Sequence, residues 1–218
     1  MSDLGELLDA IRAFYLERFR EAIEEQEADE GNQALVEAAL RDAAGEVVRE
    51  GTFQLPCRAD LHVLREGTCV ASLTIDTERM LSFDPVEFTW EGSLRVELAP
   101  FQWNMCPLAL SPAPALEQLA SLTKWFERWF EESQDADPPF FGCVHYLSDP
   151  EEEDGECRLA LDLGSAPVGA FEELLDACRA AGVTRLRIGQ AEDVAPPSGS
   201  AAPARRPRRS RGRSRRRR

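Results

Sequence analysis

Alternation of apolar and polar residues between Phe53 and Val63 constrains the fold of this chain more than any other feature. Every second residue is apolar, which is the period of a strand with one buried face; the apolar positions are Phe53, Leu55, Cys57, Ala59, Leu61 and Val63. The same period returns at 69–75, 86–90 and 94–98, with Glu-Gly turns between segments. Alternating segments joined by short turns predict an antiparallel meander over residues 53–110.

Helical periodicity flanks this meander on both sides. Apolar residues recur at helical spacing in 2–27 and in about 33–49, so we predict two N-terminal helices within 2–49. Another helix is predicted at about 115–132, where the apolar stripe is wide; its members are Leu116, Leu119, Leu122, Trp125, Phe126, Trp129 and Phe130. We expect Leu119, Phe126 and Phe130 to lie in the core.

The segment 115–188 is predicted to run helix, strand, strand, helix, strand. The first strand covers 140–147, and the second ends at Leu163. A helical stripe follows, with Ser165 as its expected N-cap, and the last strand covers 183–188. We interpret the last three elements as a βαβ unit. The chain is therefore predicted to be an α+β protein with a mainly antiparallel sheet, helices packed largely on one face and a C-terminal βαβ unit.

Charge divides the chain into two unequal parts. The formal net charge is −15, yet residues 205–218 contain ten arginines and no acid, so the remainder carries −25 from 15 basic and 40 acidic residues. After Gly189 the chain is rich in Ala, Pro, Ser and Arg, a composition that predicts disorder. We predict one acidic domain at 1–189 and a disordered tail at 190–218.

The arginine-rich tail has two interpretations. Its charges can bind polyanions such as nucleic acid by counterion release, without sequence preference, or they can lie on the acidic body. No aromatic residue interrupts the tail, so base stacking is not expected. The residues that would bind a polyanion are Arg205, Arg206, Arg208, Arg209, Arg211, Arg213, Arg215, Arg216, Arg217 and Arg218.

Cysteine usage points to reduced, packed thiols. The six cysteines have irregular spacing, lie within apolar patterns and form no C-x-x-C pair; they are Cys57, Cys69, Cys106, Cys143, Cys157 and Cys178. The acidic N-terminus lacks the features of a signal peptide, and no run of 18 apolar residues is present. We therefore expect a soluble, cytoplasmic protein whose cysteines are reduced and mostly buried.

Motifs for catalysis, cofactors or metals are not evident, and we predict none of these sites from the sequence. Cys143 and His145 share a face of a predicted strand, which is the minimum for a cysteine nucleophile and its base, but no third group is visible. Metal binding by this pair would also need partners that the sequence does not identify. Cys57 and His62 are five apart and do not share a face. The turn at Gly164 matches no phosphate-binding pattern.

Two surface features favour a protein partner. Trp125 and Trp129 lie at the margin of their helix stripe, where aromatic side chains can anchor a partner. The acidic loop 149–156 lacks the glycine position of a calcium loop and is predicted to be a solvated hairpin that can contact a basic partner; the residues concerned are Glu151, Glu152, Glu153 and Asp154.

We therefore favour a non-catalytic acidic interaction module of the inhibitor, immunity or adaptor type. Two alternatives stay open. One is association with nucleic acid through the tail, and the other is an enzyme whose site is dispersed along the chain. No membrane association is expected.

Overall fold

The computed structural model describes residues 2–75, 80–133 and 136–189, which form an α+β fold with mostly antiparallel sheets. Its elements, in chain order, are α1 (Ser2–Glu27), β1 (Asn32–Val36), β2 (Arg49–Glu50), β3 (Leu55–Pro56), β4 (Leu61–Arg65), β5 (Thr68–Leu73), β6 (Val86–Trp90), β7 (Leu94–Leu98), β8 (Cys106–Ser111), α2 (Ala120–Phe130), β9 (Tyr146–Leu147), β10 (Glu151–Glu153), β11 (Glu156–Asp162), α3 (Val168–Ala180) and β12 (Arg185–Ile188). The predicted α+β class is confirmed.

The predicted meander is divided between two sheets. The β4–β5 and β6–β7 hairpins both form, but β4 and β5 join β1 in a three-stranded sheet. The second hairpin belongs to a seven-stranded sheet of order β10-β11-β8-β12-β7-β6, with β9 also paired to β11. A separate pair, β2 and β3, lies outside both sheets. The alternating pattern identifies the hairpins correctly, but it carries no information about which sheet each hairpin joins.

The C-terminal βαβ unit is present in a split form. Strands β11 and β12 are not neighbours, because β8 lies between them and pairs antiparallel with both. Leu110 of β8 is opposite Cys157 on one side and Leu186 on the other. Strand β12 also pairs in parallel with β7. An earlier strand of the chain therefore completes the unit, and the local pattern of residues 157–188 does not show it.

The predicted helix at 33–49 is wrong. Its first part is β1, which pairs antiparallel along the whole length of β4, and its end is β2. Between them, Asp42 Oδ1 accepts hydrogen bonds from the backbone N–H groups of Ala44 and Glu46, and Gly45 has φ +87°. This turn interrupts any helix at this point. Pairing with β4 decides the conformation of the segment, since tertiary contacts readily override a weak helical preference.

Smaller differences concern the bounds of other elements. The helix predicted at 115–132 begins only at Ala120, and the strand predicted at 140–147 is limited to Tyr146–Leu147. The long strand predicted at 53–63 is broken into β3 and β4. Ser165 is not the N-cap of α3, because the helix begins at Val168 and Pro167 occupies the N-cap position. Helix α1 has the predicted bounds.

The core contains the predicted side chains of α2 and of Leu119, the residue before it. Leu119, Phe126 and Phe130 are 1%, 0% and 7% exposed. Helices α2 and α3 are also joined by a hydrogen bond from Ser121 Oγ to the carbonyl oxygen of Ala177, at 2.8 Å. The predicted membership of the core is confirmed for this helix.

All six cysteines are free, as predicted; Cys106, Cys143, Cys157 and Cys178 are buried, and Cys57 is half-buried. Cys69 is exposed, contrary to the expectation that the cysteines are mostly buried. The reason is that β5 is an outer strand of the three-stranded sheet. Within the described residues, no helix has the length and apolar character needed to cross a bilayer.

Candidate functional site

A buried histidine lies between carboxylates from distant parts of the chain. His145 Nε2 is 2.7 Å from Glu37 Oε1, and Nδ1 is 2.8 Å from Asp60 Oδ1 and 3.7 Å from Asp162 Oδ2. The side chains of His145 and Glu37 are fully buried, that of Asp60 is 2% exposed, and that of Asp162 is 17% exposed. We call these residues the histidine centre.

Strand ends position the members of this centre. Glu37 follows β1 directly, and Asp60 precedes β4; the Glu37 backbone N–H donates to the Asp60 carbonyl oxygen at 2.8 Å. His145 precedes β9, and its backbone N–H donates to the carbonyl oxygen of Asp162, the last residue of β11. The centre therefore joins the three-stranded sheet to the seven-stranded sheet.

Glu37 is held as a carboxylate by three N–H groups. In addition to His145 Nε2, the backbone N–H of Ser165 donates to Oε1 at 3.0 Å, and that of Phe141 donates to Oε2 at 2.5 Å. Burial opposes the charge, but these hydrogen bonds outweigh burial and lower the pKa of Glu37 below its ordinary value. Both oxygens of this side chain are engaged.

Backbone N–H groups also fix the two aspartates. Asp60 Oδ2 accepts from Ile75 N–H at 2.6 Å, and Asp60 Oδ1 accepts from the Tyr15 hydroxyl at 3.1 Å. Asp162 Oδ1 accepts from Gly164 N–H at 2.8 Å. Burial raises the pKa of Asp162, and repulsion from Asp60 adds to the rise. Burial likewise raises the pKa of Tyr15, so its hydroxyl is a neutral donor.

His145 is positively charged in this arrangement. Each ring nitrogen faces a carboxylate oxygen, and a carboxylate only accepts hydrogen bonds, so both nitrogens must donate. Burial disfavours an imidazolium, but attraction to Asp162 and hydrogen bonding to Asp60 raise the pKa of His145 well above its ordinary value. The core thus contains a buried ion cluster.

Two arginines lie on the Glu37 side of the centre. Arg58 donates from Nη1 to the Glu37 carbonyl oxygen at 2.6 Å, and its guanidinium lies 4.5 Å from the centroid of the Phe130 ring. Arg12 donates from Nη2 to the carbonyl oxygen of Ser165 at 2.9 Å. These positive charges offset part of the negative charge of the centre.

The structure brings Cys143 and His145 together, but in a form unsuited to nucleophilic catalysis. Both are fully buried. Burial raises the pKa of the Cys143 thiol, with Glu37 contributing, whereas a cysteine nucleophile needs a lowered pKa and access to substrate. The other sequence pair, Cys57 and His62, does not contribute to the histidine centre.

Most of the histidine centre escapes detection from the sequence. Glu37 is 108 positions from His145, and Asp60 is 85 positions away. The available signal is a single acid between apolar neighbours, as in Leu161-Asp162-Leu163, and a period-two strand places such a residue on the solvent face. Only His145 was a candidate, with Cys143 as its partner.

The tryptophans predicted to anchor a partner pack against α3 instead. Trp125 is 5% exposed and donates from Nε1 to the carbonyl oxygen of Ala170. Trp129 is half-buried and donates to Glu173 Oε2 at 2.9 Å. Indole N–H groups need acceptors when buried, and α3 supplies them. This corrects the interpretation of an exposed aromatic patch.

The acidic loop is an exposed hairpin, as predicted. Glu151, Glu152 and Glu153 form β10, Asp154 lies in the turn, and all are exposed. Glu153 forms an ion pair with Arg158 on the opposite strand. The predicted polyanion-binding arginines of the tail, Arg205 to Arg218, lie outside the described residues.

An exposed tyrosine lies at the base of this hairpin. Tyr146 is 46% exposed, and burial, together with the charges of Asp149 and Glu50, raises its pKa. Asp149 Oδ1 accepts a hydrogen bond from Thr52 N–H at 2.6 Å, which fixes the loop after Glu50 beside the hairpin. We call Glu50, Tyr146, Asp149 and the hairpin residues 151–154 the acidic face. Sequence reasoning identified its hairpin but not its aromatic member.

No family model, curated protein or solved structure matches this chain.

Proposed function

We propose that this protein is a non-catalytic interaction module that binds a basic protein partner through its acidic face. The observation that carries the proposal is the exposed side chain of Tyr146 at the base of an exposed acidic hairpin, where the charges of Asp149 and Glu50 help to raise its pKa. Aromatic side chains are common anchors at protein interfaces. An arginine or lysine of the partner can stack on this ring while its charge meets the carboxylates.

The distribution of positive charge supports a basic partner. Most arginines of the described residues already form ion pairs with acids of the chain; these are Arg18, Arg20, Arg49, Arg95, Arg128, Arg158, Arg179, Arg185 and Arg187. Acidic residues are in large excess outside the tail, so many carboxylates remain without an arginine of their own. Such a field attracts basic proteins and repels phosphates.

The burial of the histidine centre supports a non-catalytic function for the protein. Catalytic groups must reach a substrate, whereas His145 and Glu37 are fully buried, and every carboxylate of the centre accepts a backbone N–H. The perturbed pKa values of this centre are accounted for by a structural ion cluster. The six free thiols support a reducing, cytoplasmic location for the module.

Peptide binding tests the acidic face. We expect a labelled arginine-rich peptide to bind the full chain, with an affinity that falls steeply as salt is added. Tyr146→Ala is expected to weaken binding by about tenfold, as for an aromatic anchor worth about 1.4 kcal/mol. Combined replacement of Glu151, Glu152 and Glu153 by Gln and of Asp154 by Asn is expected to weaken it by at least about tenfold. Fluorescence anisotropy at several salt concentrations measures both effects.

Matched control variants distinguish peptide binding at the acidic face from non-specific attraction to the overall negative charge. The control for the hairpin changes charge by the same amount at exposed acids elsewhere: Glu66, Glu91, Glu117 and Glu172, each to Gln. The control for Tyr146 is Leu116→Ala, which removes another exposed side chain. Both controls should bind nearly as well as the parent chain. Equal losses in the two charge variants, or no loss in Tyr146→Ala, would contradict the proposal.

A further inference from the structure

Three potential ligand atoms converge on one side of the His145 ring. Nδ1 of His145, an oxygen of Asp60 and an oxygen of Asp162 all lie within 4.8 Å of one another. Imidazole nitrogen and carboxylate oxygen are common ligands of zinc, and three protein ligands with one open position make a familiar zinc site. The histidine centre therefore contains a candidate metal site as well as an ion cluster.

In each of the three ligand side chains, the polar atom that would not bind the metal already has a hydrogen-bond partner. The other ring nitrogen of His145 faces Glu37 Oε1, the other oxygen of Asp60 accepts from Ile75 N–H, and that of Asp162 accepts from Gly164 N–H. Metal-binding histidines usually donate their second N–H to a carboxylate or carbonyl, and ligating carboxylates are themselves hydrogen-bonded. This is the outer support that a metal site needs.

Charge on this side of the ring is incompletely compensated. Asp162 Oδ2 lies 3.7 Å from Nδ1, which is too long for a hydrogen bond, so the single Nδ1–H serves Asp60 alone. Arg12 and Arg58 bind carbonyl oxygens near Glu37, on the other side of the ring. Tyr15, Ile75 and Gly164 donate to these two aspartates from neutral groups. The imidazolium is therefore the one charged donor that the described residues place against both carboxylates, and a divalent cation would neutralise both.

We propose that Asp60, His145 and Asp162 bind one divalent transition-metal ion, with zinc as the expected ion. On binding, the metal replaces the proton on His145 Nδ1, and that proton is released to solvent. The Nε2–H remains donated to Glu37. Asp162 is the one partly exposed ligand, at 17%, and gives the ion its route of entry and a water molecule its place as fourth ligand.

The neighbouring set of Glu37, Cys143 and His145 is a poorer site, although its ligand atoms also lie close together. Each oxygen of Glu37 accepts a backbone N–H, which leaves neither well placed for a metal. Asp60 Oδ1, in contrast, accepts from the side chains of Tyr15 and His145. All three members of this set are buried, so it lacks the partly exposed ligand that Asp162 provides in the other set. The aspartate side of the ring is therefore the side we assign.

Metal content and titration of the full chain test the assignment. The purified protein is analysed for metal by mass spectrometry, stripped with a chelator and titrated with Zn²⁺ in a calorimeter. We expect one ion per chain, release of one proton per ion in buffers of different ionisation enthalpy, and a higher midpoint of thermal unfolding with Zn²⁺. Absence of binding with this stoichiometry would overturn the proposal.

Variants and a spectroscopic ion locate the site. Asp162→Asn is expected to weaken Zn²⁺ binding by at least about tenfold. Glu152→Gln and Cys69→Ser, which change an exposed acid and the exposed thiol, should leave it unchanged. Because Asp162→Asn can fail to fold, Co²⁺ bound to the parent chain gives a second readout: nitrogen and oxygen ligands produce no thiolate charge-transfer band. Such a band, or unaltered binding in folded Asp162→Asn, would overturn the assignment.

Discussion

Replacing His145 by alanine is expected to lower the free energy of unfolding by about 3–5 kcal/mol, the range found when one partner of a buried ion pair is removed. The substitution removes the positively charged ring and leaves the buried carboxylates of Glu37 and Asp60 without their ion-pair partner. It also removes a fully buried side chain from the core. Denaturant unfolding followed by tryptophan fluorescence measures the change, provided that the slope with denaturant is unaltered.

The second histidine supplies a control for this substitution. His62 lies in β4, is half-buried, and its buried Nδ1 has no hydrogen-bond partner among the described residues. Burial lowers the pKa of His62, so the ring is neutral at neutral pH. His62→Ala is expected to cost less than about 1.5 kcal/mol, since it breaks no buried ion pair. Equal costs for the two substitutions would show that the charge of His145 contributes little.

Gly164→Ala is expected to destabilise the protein by about 2–5 kcal/mol. Gly164 has φ +50°, a left-handed conformation that costs other residues roughly 1–2 kcal/mol. A Cβ atom here would also lie 2.5 Å from the Cys143 carbonyl oxygen and closer still to the His145 ring, so overpacking adds about 1–3 kcal/mol. Glycine at this turn lets the chain pass directly against the histidine centre.

A second glycine with positive φ allows the backbone cost of an alanine substitution to be measured without the overpacking cost. Gly92, in the β6–β7 turn, has φ +69°, and a Cβ atom added there meets no atom within 4 Å. Gly92→Ala therefore carries the backbone cost of roughly 1–2 kcal/mol without the clash. Thermal or denaturant unfolding of both variants gives the difference. If Gly92→Ala is as costly as Gly164→Ala, close packing of the turn on His145 is not what requires glycine.

Much of the fold follows from local patterns in the sequence. Helix α1, the apolar face of α2, and the β4–β5 and β6–β7 hairpins are predicted correctly, because each pattern lies within one element and its turn. Sheet membership is not predicted, because it depends on pairing between distant segments. The misassigned helix at 33–49 is an example: β1 owes its conformation to the backbone of β4.

The histidine centre was even less predictable from local sequence patterns than the sheet pairing was. Cys143 and His145 attract notice because they are two residues apart, yet the groups that set the state of His145 come from Glu37, Asp60 and Asp162. A lone acid beside apolar residues is equally consistent with a solvated position. Conversely, Trp125 looks like a surface anchor in sequence, and only the packing of α3 shows its ring to be buried. Predictions that require contacts between distant residues need the structure.

We expect the histidine centre to make the N-terminal elements and the seven-stranded sheet a single cooperative unit. It combines Glu37 and Asp60 from the first part of the chain with His145 and Asp162 from the last, and Tyr15 of α1 donates to Asp60. Small domains with one continuous core usually unfold in one step. The elements on both sides of the centre should therefore lose protection together.

Hydrogen exchange across a denaturant series tests this claim most directly. Pulse labelling with mass spectrometry follows peptides from α1 and β4 separately from peptides of β11 and α3. We expect one unfolding midpoint for all four elements in the parent chain. Separate midpoints, with α1 and β4 exchanging at lower denaturant while β11 and α3 stay protected, would contradict a single cooperative unit.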